Sequence, residues 1–385
     1  MTGAKRSVAV VGASMTAFGE RDAWIRELLA EAGDDCLAAA GVDAVDHLYV
    51  SNMACGELEG QTGIQHALAS DLALEPAYAA RIDGTSASGG TGIVAAHQSV
   101  ASGASDATLL VGGEKMTHRT TAEATDVIAS LTHPIEYKHG VTLPTFAGLT
   151  ARHYLEEYDA PRSALAEVAV KNHRHGVDNP HAQFREAIDV ETALESPVVA
   201  DPLRLYDFCP ITDGAAALLF VPVDRAPSFD TRAEITGIAG ATDTHVVHER
   251  SDPTTMSAVV ESGADAFDAA GRTPEDVDVA ELHDMFTILE LLQAEDLGFF
   301  EKGAGWEAAA EGVTARDGAL PINTSGGLKS KGHPLGASGV AQLYEVVRQV
   351  TGTAGKRQVD ADVGLACNVG GFGNCVTTAI LEAGA

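Results

Sequence analysis

Apolar residues in this chain fall into short runs and helical stripes that alternate. The first run, Val8-Ala-Val-Val-Gly12, reads as a buried strand. It is too short to span a bilayer, and no signal-peptide cleavage pattern follows it. Ile93, Val94, His97, Val100 and Ala101 share one face of a helix, and the run at 107–113 (Ala-Thr-Leu-Leu-Val-Gly-Gly) suits a buried strand. Val376 to Leu381 read as another strand. The alternation predicts an α/β protein with helix-covered sheets.

The pattern repeats once. Ser86-Ala-Ser-Gly-Gly-Thr-Gly opens a helix followed by the strand at 107–113. His333-Pro-Leu-Gly-Ala-Ser-Gly opens a second helix, followed by a strand near Val363 to Ala366. Val45-Asp-His-Leu-Tyr-Val-Ser and Val277-Asp-Val-Ala-Glu-Leu-His283 stand in matching places ahead of each unit. Two similar halves with a different middle account for this. The expected organisation is an N-terminal half at 1–117, completed by about 201–225, then a loop or lid domain at 118–200 and a C-terminal half at 226–385. The middle is polar and aromatic (Lys171-Asn-His-Arg-His-Gly), as a cover over a site would be.

Charge narrows the partners. The chain carries 55 acidic residues against 25 basic, a net charge of −30. Such a coat repels nucleic acid and anionic membrane. Spread along the whole chain, with lysine scarce, it points to adaptation to high salt, where self-repulsion is screened. A cytoplasmic protein is expected. Five cysteines, an odd count without a C-x-x-C pair, argue against both a disulfide framework and a structural zinc site.

Four segments carry chemistry. Asp83-Gly-Thr-Ser-Ala-Ser-Gly-Gly places Ser86 at the start of a glycine-rich helix, where N–H groups and the helix dipole favour developing negative charge; alone, it reads more readily as an N-cap. In Ser325-Gly-Gly-Leu-Lys-Ser-Lys-Gly-His-Pro-Leu-Gly-Ala-Ser-Gly, Pro334 holds His333 extended on a rigid loop. Glu281-Leu-His-Asp-Met-Phe-Thr and Cys367-Asn-Val-Gly-Gly-Phe-Gly each follow a strand-like run, where loops present functional groups. Singly, His283 reads equally well as a structural histidine, and Cys367 better as a buried small hydrophobe.

Together these segments resemble the thiolase superfamily, in its archaeal and sterol-carrier-protein-like branch. The likeness extends to Asn179-Pro-His-Ala-Gln-Phe and Asp201-Pro-Leu-Arg-Leu-Tyr-Asp. It implies a thiolase fold, two duplicated α/β halves plus an inserted loop domain. It also implies transfer between coenzyme A thioesters by ping-pong Claisen condensation or the reverse thiolysis. His333 is then a catalytic histidine, His283 part of an oxyanion hole and Cys367 a proton-transfer group, with Phe286 and Gly371 near the pantetheine. Acetyl-CoA and acyl-CoA are substrates, and no metal or bound cofactor is required. A dimer or larger homo-oligomer is implied, with a small OB-fold or zinc-ribbon partner.

The chain departs from the family at Ser86, where a cysteine is usual, and at Met285, where many relatives have another. A serine hydroxyl stays protonated near neutral pH and needs a base during attack, for which His333 is the candidate. Loading acetyl from a thioester onto serine is downhill, and carbanion attack on the resulting oxoester is correspondingly harder. Oxyanion stabilisation by His283, His333 and the Ser86 N–H must compensate. Other readings are a thiolase-like aldolase, a serine-dependent thioester hydrolase and a non-catalytic assembly subunit. The hydrolase reading rests on a near match of Gly84-Thr-Ser-Ala-Ser to G-x-S-x-G and on the order Ser86, Asp284, His333.

Overall fold

The computed structural model describes residues 6–384. Nine strands form one sheet: β1 (Val8–Met15), β2 (His47–Ser51), β3 (Tyr78–Ile82), β4 (Thr108–Glu114), β5 (Gly214–Pro222), β6 (Ala233–Thr242), β7 (Val279–Glu281), β8 (Val363–Gly370) and β9 (Cys375–Ala383). Their spatial order is β3-β2-β4-β5-β1-β6-β9-β8-β7. β2, β3 and β4 run parallel, as do β7 and β8; β5 and β9 are antiparallel to their neighbours. The two halves of the sheet meet at a narrow seam, three antiparallel pairs between Val8–Val10 and Ala233–Ile235.

β4, β5 and β8 are buried at every position. Strands covered on both faces carry continuous apolar runs rather than alternating ones, which is why the runs at 107–113 and 363–366 stood out. The covering helices used below are α1 (Ile25–Ala40), α2 (Ser88–Ala101), α3 (Leu143–Glu157), α4 (Ser163–Gly176), α5 (Ser257–Ala270), α6 (Thr287–Asp296), α7 (Gly327–Lys331) and α8 (Leu335–Val350). The order β1-α1-β2…α2-β4…β5 recurs as β6-α5-β7…α8-β8-β9, so the two halves are duplicates. Outer helices differ from inner ones. α1 covers the N-terminal half and shares a core with Leu48, Leu109 and Leu219. α2 and α8 lie between the halves, in a core that draws on Val8, Phe220, Ala366 and Leu381.

The inner pair touches backbone to backbone. A Cβ on Gly89 of α2 would stand 2.8 Å from the backbone nitrogens of Gly339 and Val340 of α8. Real Cβ atoms do not approach so closely, so the glycine-rich start of each helix is a packing requirement as well as a chemical one. The middle segment is largely helical. Leu143, Phe146 and Tyr154 of α3, with Leu165 and Val168 of α4, join the core of the C-terminal half beside Leu282 and Phe286. Among the described residues, no helix is long and apolar enough to cross a membrane.

Candidate active site

Ser86 sits just before α2, after Thr85 at φ 60, and is 1% exposed. Its Oγ accepts a hydrogen bond from the Gly371 N–H (3.1 Å) and donates a long one to the Val369 carbonyl (3.4 Å). Gly371 can supply that N–H because it adopts φ +60, where a Cβ would meet Asn374 Oδ1 at 2.3 Å. A helix from the N-terminal half and a strand end from the C-terminal half thus close on one hydroxyl.

His283 lies just beyond the C-terminal end of β7 and is fully buried. Gln293 of α6 braces its backbone at two points, accepting from the His283 N–H (2.9 Å) and donating to its carbonyl (2.9 Å). His333 follows α7; its N–H donates to Thr212 Oγ1 (3.1 Å). The two imidazoles meet edge to face, 4.8 Å between centroids and at right angles. Among the described residues neither Nε2 has a hydrogen-bond partner, and both are buried.

The surrounding hydrogen bonds assign a proton to one nitrogen of each ring. Asn368 Oδ1 accepts from the Gly90 N–H of α2 (2.9 Å), so its amide Nδ2 faces His283 Nδ1 (2.9 Å). An amide nitrogen only donates, so His283 Nδ1 accepts and the proton of the neutral ring is on Nε2. For His333 the assignment reverses. We assign the Ser338 hydroxyl proton to the Pro334 carbonyl (2.9 Å), which makes Ser338 Oγ the acceptor from His333 Nδ1 (2.6 Å). His333 Nε2 is then a bare lone pair. Both rings are neutral near pH 7: burial pulls His333 down to about 3, and burial together with the adjacent His333 holds His283 well below its ordinary value. One unpartnered donor and one unpartnered base are therefore buried side by side.

Of the four catalytic candidates, the structure brings His283 and His333 into contact and sets Ser86 on the backbone of 369–371, next to the Asn368 that bonds His283; it does not bring the fourth. Sequence placed Cys367 at the start of a loop; instead it lies within β8, opposite Thr378 of β9. Side chains alternate along a strand. Asn368 faces α2 and His283, and Cys367 faces the other way, into the core with Leu365 and Val369. There its Sγ takes only a long contact from Thr378 Oγ1 (3.8 Å), whose hydroxyl also meets Ser262 of α5 (2.9 Å). Burial pushes the thiol up to about 12. Phe286 is buried at the start of α6 with its ring against Phe208 (5.2 Å). Gly371 touches Ser86 itself.

The Ser86–Asp284–His333 triad is not formed. Asp284 is buried and committed elsewhere, accepting from the Leu328 N–H (2.6 Å) and Asn172 Nδ2 (2.7 Å). Sequence reasoning also passed over Asn368, which links His283 to α2, although extending the strand reading one turn past Ala366 exposes it by alternation alone. Ser338, one turn into α8, carried no signal beyond its place in the glycine-rich stretch.

Comparison with known proteins agrees with this geometry. Residues 8–224 match the thiolase N-terminal domain, and residues 239–383 match the thiolase C-terminal domain-like family. The chain is 42% identical to the acetyl-CoA acetyltransferase of Methanothermobacter thermautotrophicus, covering 98% of this chain and all of that one. It is 32% identical to human sterol carrier protein 2 over 97% of this chain and 71% of that protein. The solved Ltp2–ChsH2(DUF35) aldolase superposes with a TM-score of 0.85 at 25% identity, over 99% of this chain and 98% of that one. The chain belongs to the thiolase superfamily.

Proposed function

We propose that this protein forms or breaks the carbon–carbon bond next to the carbonyl of a coenzyme A thioester, with an ester on Ser86 as intermediate. The observation that carries the reading is the complementary pair of unpartnered nitrogens: His283 Nε2–H as an oxyanion donor and His333 Nε2 as a base. His333 takes the Ser86 proton as the hydroxyl attacks the thioester carbonyl, and that proton leaves on the departing CoA thiolate. The oxoester remains on Ser86 and His333 is again a free base. A second thioester then loses its α-proton to His333, its enolate oxygen held by His283. The new carbanion attacks the serine ester, the carbon–carbon bond forms, and the serine oxygen recovers the proton from His333. One base serves both halves, so no thiol is required, which suits a site where Met285 carries no titratable proton and Cys367 faces the core.

A second reading, a thiolase-like aldolase, is favoured by a specific feature. The Ser86 hydroxyl is held by backbone groups of 369–371 and by neither histidine. In an aldol cleavage His333 would take the proton of a β-hydroxyl, His283 would hold the resulting thioester enolate, and Ser86 would only shape the pocket. The solved aldolase pairs with a DUF35 component, and we propose a small partner of that kind here, with coenzyme A thioesters as substrates and a homo-oligomeric assembly. Purified chain in molar salt, given acetyl-CoA, is expected to yield acetoacetyl-CoA and free CoA. Acetate alone would point to hydrolysis. Inertness toward acetyl-CoA, combined with cleavage of a β-hydroxyacyl-CoA to a carbonyl compound and a shorter thioester, would replace the first reading by the second.

A further inference from the structure

A cavity of about 660 Å³ lies between α4, residues 183–188, residues 205–210 and Lys329. Two of its lining residues, Cys209 and Gln183, bond to residues around the histidine site. Cys209 N–H donates to the Met285 carbonyl (2.9 Å), and Thr212, which holds the His333 backbone, donates to Gln183 Oε1 (2.6 Å). Its interior is mainly apolar and aromatic, with Phe184, Tyr206 and Phe208 prominent. Arg185 and Glu186, both exposed, also line it.

Lys329 is the anomaly. Among the described residues four lysines are buried: Lys115, Lys171, Lys329 and Lys331. Three stand beside a carboxylate: Asp213 for Lys115 (2.7 Å), Glu290 for Lys171 and, beyond hydrogen-bond reach, Glu281 for Lys331 (3.7 Å), whose Nζ has no hydrogen-bond partner among the described residues. Lys329, 2% exposed, has no ion pair or hydrogen bond from its Nζ among the described residues. It has two aromatic faces, Phe184 at 6.0 Å and Tyr206 at 5.8 Å. Cation–π contacts offset only part of the cost of burying an ammonium. The neighbouring acids are occupied: Asp284 by Leu328, Lys329 N–H and Asn172, Asp207 by Thr287, Arg204 and Arg162. Burial lowers the Lys329 ammonium to about 8, which still leaves it largely charged near pH 7. A charge without an anion, at the wall of a cavity of ligand size, asks for one from outside.

We propose that this cavity binds an organic carboxylate with an apolar body, the carboxylate on Lys329 Nζ and the body against Phe184, Tyr206 and Phe208. The carboxylate could come from a free acid or from the far end of a dicarboxylic acyl chain carried by coenzyme A. Binding at this cavity stands apart from the reaction proposed above, so it is read directly, without turnover. Calorimetry on the full chain in molar salt would compare 3-phenylpropanoate with 3-phenylpropanamide, and glutaryl-CoA with pentanoyl-CoA. The acid of at least one pair is expected to bind about tenfold or more tightly than its neutral counterpart, the scale of a charge-assisted contact. Preference in the first pair identifies a free acid; preference confined to the second identifies an acyl tail. Lys329→Met should erase the preference and leave the neutral ligands unchanged. Should that variant not fold, wild type suffices: the preference must fade as the pH rises through Lys329's range above about 8. No preference in either pair, a preference that survives Lys329→Met, or one unchanged up to about pH 10 would overturn the proposal.

Discussion

At the end of β4, in the N-terminal half, Glu114 accepts from Asn52 Nδ2, from the Met53 and Ala54 N–H groups and from the Gly336 N–H at the start of α8. At the equivalent strand of the C-terminal half, β8, Asn368 accepts from the Gly90 N–H near the start of α2 and passes its amide on to Gln342 and His283. Each half thus reaches across to the inner helix of the other. The N-terminal connection ends there, its carboxylate saturated by four donors. The C-terminal connection ends on an imidazole whose far nitrogen has no partner. Duplication supplied two similar scaffolds; one was closed into a clamp, and the other was left with unsatisfied groups at which chemistry can occur. Buried polar groups without partners are costly, and here they coincide with the neighbourhood of Ser86.

The largest expected effect falls on both halves at once. The acidic coat is spread over the whole chain, so dialysis from molar salt into dilute buffer should unfold the two halves in one transition, followed by circular dichroism. Separate transitions would show that the halves are less interdependent than the exchanged inner helices imply, and unchanged structure would remove the high-salt inference. Next come the unpartnered nitrogens. His333→Ala should lower turnover by about 10²–10⁴-fold, and His283→Ala by about 10²–10³-fold. The two should separate in solvent exchange. In deuterated buffer His333→Ala should lose α-proton exchange from acyl-CoA near pH 7 and regain part of it as hydroxide replaces the missing base at higher pH, whereas His283→Ala, which keeps its base, should lose exchange by a factor that does not change with pH.

A smaller effect tests the face of β8. Cys367→Ala should cost about 1 kcal/mol in urea unfolding, as a shortened core side chain does, with turnover within a few-fold of wild type. A loss of a hundredfold with intact stability would restore Cys367 to the proton-transfer role that the family resemblance implies. The smallest effect tests the clamp. Burial pushes the Glu114 carboxyl up to about 7, above its unfolded value. Its contribution is therefore fully present below about pH 4.5 and is lost as pH rises toward 7. Glu114→Gln, destabilised overall, should lack that slope; identical pH profiles for variant and wild type would show that Glu114 stays ionised throughout.

Much of this was legible before any coordinates. Continuous apolar runs marked the doubly covered strands β4 and β8, and the glycine-rich starts of α2 and α8 marked the duplicated inner helices. Ser86, His283 and His333 are singled out by motifs whose roles come from the family resemblance; taken singly, each reads as well or better as a structural residue. Cys367 shows where such reading stops. Strand β8 continues through Asn368 to Gly370, and one residue of register decides which face a side chain occupies. The protonation states were equally beyond reach, because they depend on Asn368, Ser338 and Gly90, residues distant in sequence that meet only in the folded chain. Lys329 stood in a quoted motif, but its lack of an anion is visible only against the paired lysines around it.

The central claim is that Ser86 becomes acylated with His333 as its base. Wild type and His333→Ala would be mixed with acetyl-CoA in molar salt, quenched in acid after a single turnover, digested and analysed by mass spectrometry. The account predicts an acetyl mass on the peptide carrying Ser86 in wild type, strongly reduced in His333→Ala and absent from the peptide carrying Cys367. An unmodified Ser86 in an enzyme that still makes or breaks the carbon–carbon bond would contradict it and leave the aldol reading in its place.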